Sequence, residues 1–225
     1  MKKLLAAIIA AALLLSGCSL SSRPAVSAPP AETPSPSPTP IVTPTPAPEP
    51  SDDELVLVRD YIPGIFIDLK YATTDNFTGQ VIYDSDEAYL RYGTVKKLLA
   101  AQNELSGRGL SLKIWDAYRP VSAQFKLWEI CPNPVYVSDP NNGYSKHSRA
   151  NTVDITLVTS TGESIPMPSG FDDFTSLADR DYSDVSAEAA ENARLLESVM
   201  VENGFVPYSG EWWHYSDSVS YDVYG

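Results

Sequence analysis

The chain has 225 residues, 43% of them apolar, which is enough for one domain of ordinary size and a further segment. Its formal net charge is −13, with 29 acidic residues against 16 Lys and Arg, and that balance argues against nucleic acid or an anionic lipid surface as a partner. The acidic residues are scattered rather than clustered, as in a chain kept soluble by its charge, so acidity alone names no substrate.

At the N-terminus Met1-Lys2-Lys3 is a positive start. Leu4 to Leu15 is apolar but short for a bilayer span, and Leu15-Ser16-Gly17-Cys18 closes the run. This resembles a bacterial lipoprotein signal. The resemblance implies that residues 1–17 are removed and that Cys18 carries a diacylglyceryl group. The chain is then expected to be exported and anchored to the cell membrane by lipid only, with its domain outside the cytoplasm. A plain secretory signal with an incidental cysteine is the other reading. Residues 18–53 are rich in Pro, Ser and Thr, including Pro-Ser-Pro-Ser-Pro-Thr-Pro, and predict a disordered, extended stalk of roughly 3 Å per residue.

Residues 54–225 read as one α+β domain, with a central antiparallel sheet flanked by helices. Leu55–Arg59 and Ile65–Leu69 are short strand candidates around Pro63-Gly64. Val95, Leu98, Leu99 and Leu105 recur at helical spacing behind a Thr94 cap, and Gly107 and Gly109 end that segment. Leu110–Ile114 and Val153–Val158 have strand character. Ala189, Ala193, Leu196 and Met200 mark a second helix stopped at Asn203-Gly204, and Trp212–Ser216 is a last strand. With Cys18 lipidated, Cys131 has no disulfide partner, and a buried unpaired thiol is its expected role.

The chain has two histidines, His147 and His214, each among chemically competent neighbours. A single histidine is more often a surface or hydrogen-bonded core residue than a ligand. Asp154 follows His147 in a strand whose Val153, Ile155 and Leu157 face the core, so alternation turns Asp154 to the other face, toward the preceding loop. A solvated strand residue is the alternative for Asp154. Two ligands of this kind suit zinc, and His214 as a third leaves a fourth position open. In Gly210-Glu211-Trp212-Trp213-His214-Tyr215 the natural general base is Glu211. Residues three apart in a strand face opposite ways, so Glu211 is expected in the turn that precedes the strand. Arg119, in Trp115-Asp116-Ala117-Tyr118-Arg119-Pro120, stands at a strand end and is suited either to oxyanion stabilisation or to a surface ion pair.

Together these segments resemble the zinc D-Ala-D-Ala peptidase superfamily, and within it the D-alanyl-D-alanine dipeptidases of the vancomycin-resistance type. The likeness rests on Asp68 to Gly79, Trp115 to Pro120, Ser145 to Leu157 and Glu211 to Tyr215. The first segment separates the dipeptidases from the larger carboxypeptidases, which share the His, Asp and Glu-x-x-His elements. The resemblance implies one zinc ion per chain, placed at the sheet and held by His147, Asp154 and His214. It further implies Glu211 as general acid and base, Arg119 as transition-state stabiliser, and Ser145 and Asp172 as ligands of the dipeptide's free amino group. Turn capping is the other role open to Asp172. The expected reaction is hydrolysis of D-Ala-D-Ala. A D,D-carboxypeptidase acting on peptidoglycan stems, or a non-catalytic zinc or wall-binding domain, are the alternatives. Ala150-Asn151 departs from the family's usual Gly and small residue; a positive φ there would strain Ala150 by about 1 kcal/mol.

Overall fold

A computed structural model describes residues 48–225; the signal segment, Cys18 and most of the Pro-rich stretch lie outside the described residues. In chain order the domain runs β1 (Leu55–Leu57), α1 (Val58–Tyr61), β2 (Phe66–Ile67), β3 (Tyr89–Arg91), α2 (Tyr92–Ser106), β4 (Leu110–Asp116), α3 (Val121–Ile130), β5 (Thr152–Thr159), α4 (Ala187–Glu202), β6 (Phe205–Tyr208) and β7 (Glu211–Asp217). Single turns of 3₁₀ helix stand at Lys70–Ala72, Lys146–Arg149 and Ser176–Ala178.

β1 and β3 form a small antiparallel ribbon, and the main sheet has the order β2-β4-β5-β7-β6. The expectation of an antiparallel sheet holds for β4, β5, β7 and β6, whereas β2 joins the edge in parallel, pairing Phe66 with Lys113 and Ile67 with Ile114. Leu112, Ile114, Val153, Ile155, Leu157, Trp212, Trp213 and Tyr215 are fully buried. α2 and α4 pack on each other and against the sheet, burying Val95, Leu98, Ala101 and Leu105 from one and Ala189, Ala193, Leu196 and Met200 from the other. Burial of each large side chain contributes about 1.5–3 kcal/mol.

Two local expectations are corrected. The strand expected over Leu55–Arg59 stops at Leu57, because a helical turn puts both Val58 and Ile62 into the core, with the Ile62 N–H donating to the Val58 carbonyl at 3.0 Å. Thr94 is not a cap: α2 starts at Tyr92, whose N–H donates to Glu54 O at 2.8 Å, and Gly93 N–H donates to Asp52 O at 2.9 Å. The preceding chain therefore satisfies the first two amides of the helix, and the Thr94 hydroxyl donates instead to Asp217 Oδ2 at 2.8 Å. Glycine suits position 93, since a Cβ there would stand 3.2 Å from Asp52 O and 2.6 Å from the Tyr221 hydroxyl. Helix α3 carried no sequence expectation; its buried Ala123, Gln124 and Leu127 include a polar residue, while Phe125 is exposed, which blurs the apolar stripe. By contrast α4 ends at Glu202, with Asn203 as its C-cap and Gly204 at φ +86°, as the Asn-Gly stop predicts.

Candidate active site

Asp154 and His214 are directly paired residues of β5 and β7, and their side chains meet with His214 Nδ1 2.9 Å from Asp154 Oδ1. His147 comes from the turn Lys146–Arg149, where Ser145 Oγ accepts the His147 N–H at 3.3 Å and fixes the start of the turn. Its Nε2 lies 3.3 Å from Asp154 Oδ2 and 3.3 Å from His214 Nδ1. One donor atom from each of the three falls within 4.8 Å of the others. Asp154 is 3% exposed, so it is not a solvated strand residue: both faces of β5 are covered.

The tautomer of His147 follows from its other nitrogen, which lies 2.9 Å from the Ala117 carbonyl. A carbonyl only accepts, so Nδ1 carries a proton and Nε2 is the nitrogen turned toward Asp154 and His214. Burial lowers the His147 pKa, but the Asp154 and Asp116 carboxylates outweigh it and raise it in the metal-free chain. Burial pushes the Asp154 carboxyl up, but His147 and His214 outweigh it and hold the group well below the usual range. Burial lowers the His214 pKa, favouring the neutral ligand form. Two imidazole nitrogens and one carboxylate oxygen converge here, a donor set that suits a zinc ion with a fourth position left open.

Glu211 is the first residue of β7, not part of the turn. It reaches the His214 side because the β6–β7 register jumps: Pro207 pairs with Tyr215, but Tyr208 pairs with Glu211. The intervening residues bulge, which breaks strict alternation and places Glu211 Oε2 3.5 Å from His214 Nδ1. Burial, with the charges of Asp154 and Asp172, raises its pKa to about 8. A carboxyl poised near neutrality is suited to taking and returning a proton.

Ser145, Glu211 and His214 line one cavity of about 260 Å³ together with Tyr136, Lys146 and Tyr208. Arg119 and Asp172 do not line it; they belong to an adjoining buried network. Arg119 is 9% exposed, which removes the surface ion-pair reading. Its Nη2 donates to Asp116 Oδ2 at 2.6 Å, Nη1 to Gln124 Oε1 at 3.0 Å and Nε to the Tyr83 hydroxyl at 3.3 Å. Its guanidinium sits 5.0 Å from the centre of the Tyr71 ring, and the Tyr71 hydroxyl donates to Asp172 Oδ2 at 2.6 Å. Asp172 adopts φ +52° and caps no turn through this contact; the neighbouring Asp173 does so, accepting the Thr175 N–H at 3.0 Å. Burial raises the Asp172 pKa to about 7.

Asp116, Tyr83 and Tyr71 were not singled out as site residues. A signal existed for Asp116, a carboxylate three residues before Arg119 at the end of β4; Tyr83 offered none. Cys131 is half-buried rather than buried, and it is free. Ala150 takes φ +57°, ψ +29°, the left-handed conformation that the glycine usual in the resembled family would suit.

A buried His, Asp, His donor set beside a carboxyl of raised pKa defines a metallopeptidase-type centre on an α+β scaffold. The family model described as D-ala-D-ala dipeptidase matches residues 51–221, and the chain belongs to that family, whose members are zinc-dependent metallopeptidases. A D-alanyl-D-alanine dipeptidase of Escherichia coli K12 is 39% identical over 162 residues, covering 72% of this chain and 83% of the relative. Those of Enterococcus faecium and Streptomyces coelicolor are each 36% identical, covering 68% and 72% of this chain and 86% and 91% of the relatives.

Proposed function

We propose that this chain hydrolyses D-alanyl-D-alanine to two D-alanines, using zinc held at the sheet by His147, Asp154 and His214. The observation that carries the reading is the convergence of these three donors within 4.8 Å, with Glu211 3.5 Å from one of them. A bound zinc ion supplies Lewis acidity toward the scissile carbonyl and lowers the pKa of water. Glu211 takes the proton of the attacking water and returns it to the leaving amine, a task matched by its raised pKa. Arg119, locked by Asp116, Gln124 and Tyr83, holds a fixed positive charge that stabilises the oxyanion. Ser145, on the cavity wall, and Asp172, in the network beside the cavity, receive the dipeptide's ammonium group. A buried carboxylate facing that charge favours a free amine over an acylated nitrogen.

The domain of residues 54–225 works outside the cytoplasm, tethered by lipid on Cys18 and spaced by residues 18–53; the N-terminal signal and the Pro-rich composition support this arrangement. Its role there is recovery of D-alanine during wall turnover. The test is release of D-alanine from D-Ala-D-Ala by the zinc-loaded full-length chain in detergent, beside an N-acylated D-Ala-D-Ala peptide and a Glu211→Ala control. Turnover of the free dipeptide alone, lost in the control, supports the dipeptidase. Preference for the acylated peptide would replace it by a carboxypeptidase, and no turnover of either would leave a binding domain.

A further inference from the structure

Arg180 lies in the segment between the turn Ser176–Ala178 and α4, and nothing in its sequence context marks it. Its Nε donates to Tyr208 O at 2.8 Å; Nη1 donates to Glu197 Oε2 at 2.9 Å and to the Tyr215 hydroxyl at 3.1 Å; Nη2 donates to Glu211 O at 3.1 Å and His214 O at 3.2 Å. A guanidinium has five N–H groups, and each of these has an acceptor. The group also sits 4.6 Å from the centre of the Tyr215 ring.

Three of the acceptors are main-chain carbonyls of the stretch where the β6–β7 register jumps. A regular ladder satisfies such carbonyls from the partner strand, whereas a bulge interrupts it and Pro207 brings no N–H. Two of those carbonyls belong to Glu211 and His214 themselves. On its other side the guanidinium is tied to Glu197 of α4, so the contact links the bulge to the helix packed behind it.

We propose that Arg180 is a positioning residue of the active site: by holding the carbonyls of Tyr208, Glu211 and His214 together, it sets the placement of Glu211 relative to the His214 ligand atom. The inference rests on the reading of Glu211 as base and His214 as ligand. Lysine cannot replace it, because one ammonium group lacks the planar fork that spans these acceptors.

The experiment compares full-length wild type with Arg180→Lys, Arg180→Ala and the milder Tyr215→Phe, measuring zinc affinity by chelator competition, kcat and KM separately, and thermal unfolding. Arg180→Lys and Arg180→Ala are expected to lose about 10–100-fold in zinc affinity and in kcat. KM should stay within about twofold, since the residue touches no substrate. Added guanidinium ion should restore part of the Arg180→Ala kcat, and methylammonium should not. Lower unfolding temperatures with wild-type zinc affinity and kcat would reduce Arg180 to a structural tie and overturn the proposal. If Arg180→Ala fails to fold, Arg180→Lys and Tyr215→Phe decide by the same criteria. A wild type that binds zinc but leaves D-Ala-D-Ala intact would sink the dipeptidase reading, and the zinc affinities would still judge Arg180.

Discussion

The two edges of β7 are built differently, and the difference divides the work of the site. Toward β5 the ladder is regular: Thr152, Val153 and Asp154 pair in step with Ser216, Tyr215 and His214. Regular pairing brings two donors face to face without any special device. Toward β6 the register jumps, and Glu211 reaches the same side as His214 only because the strand bulges. A regular ladder can place two ligands, but a base three residues along the same strand requires an irregular one.

The sharpest break of this comparison is at the regular edge. Asp154→Ala removes the only anionic donor of the three and leaves two imidazoles facing one another. We expect zinc binding to fall below detection and hydrolysis with it, checked by metal content after dialysis and by D-alanine release. At the irregular edge Glu211→Gln keeps shape and zinc but removes the proton acceptor. Its kcat should drop about 10²–10⁴-fold while metal content stays at one ion per chain. If both substitutions lost zinc equally, the division of labour between the edges would be wrong.

The network beyond the cavity predicts stability effects. Asp116 is fully buried and accepts from Arg119, from the Tyr83 hydroxyl at 2.5 Å and from the Ala117 N–H at 2.8 Å. Asp116→Ala leaves the Arg119 charge buried without its carboxylate, and should destabilise by about 3–5 kcal/mol, read by denaturant unfolding. Asp172 gives a pH signature in the metal-free chain. Its folded pKa is raised from 3.8 to about 7, so the folded state holds a proton that the unfolded state has released. Its stabilising contribution is complete below the unfolded value and is lost as pH rises toward 7. Asp172→Asn should therefore flatten the decline in stability across that window and be the more stable chain at pH 8; an unchanged slope would remove Asp172 from the buried network.

How much of this was legible depended on whether chemistry or geometry carried it. His147, Asp154, His214, Glu211 and Arg119 stand in short segments whose residue types declare their chemistry, and the structure brings the first four together. β4, β5, β7 and α4 were legible because apolar spacing and an Asn-Gly stop are local signals, whereas the short β3 and β6 offered no such pattern. What was not legible is contact across the chain. Thr94 looks like a cap until the backbone of Asp52 and Glu54 is seen at the start of α2. Arg180 looks like any surface arginine until five acceptors from β6, β7 and α4 surround it. A bulge likewise depends on the pairing of two strands, so alternation alone misplaced Glu211.

The smallest effect concerns Ala150, between the turn that carries His147 and the strand that carries Asp154. Its left-handed φ of +57° strains a non-glycine residue, at roughly 1–2 kcal/mol. Glycine would relieve that strain, but two terms oppose the exchange. Ala150 is fully buried, and its methyl contributes about 0.8 kcal/mol. Glycine also loosens the unfolded chain by about 0.4–1 kcal/mol. These terms nearly cancel, which explains how alanine holds a position suited to glycine. Ala150→Gly should shift the unfolding midpoint by no more than about 2 °C, with zinc affinity unchanged. Clear stabilisation accompanied by tighter zinc binding would mean instead that strain at Ala150 displaces His147, and that the regular edge of the site is less well fixed than its register suggests.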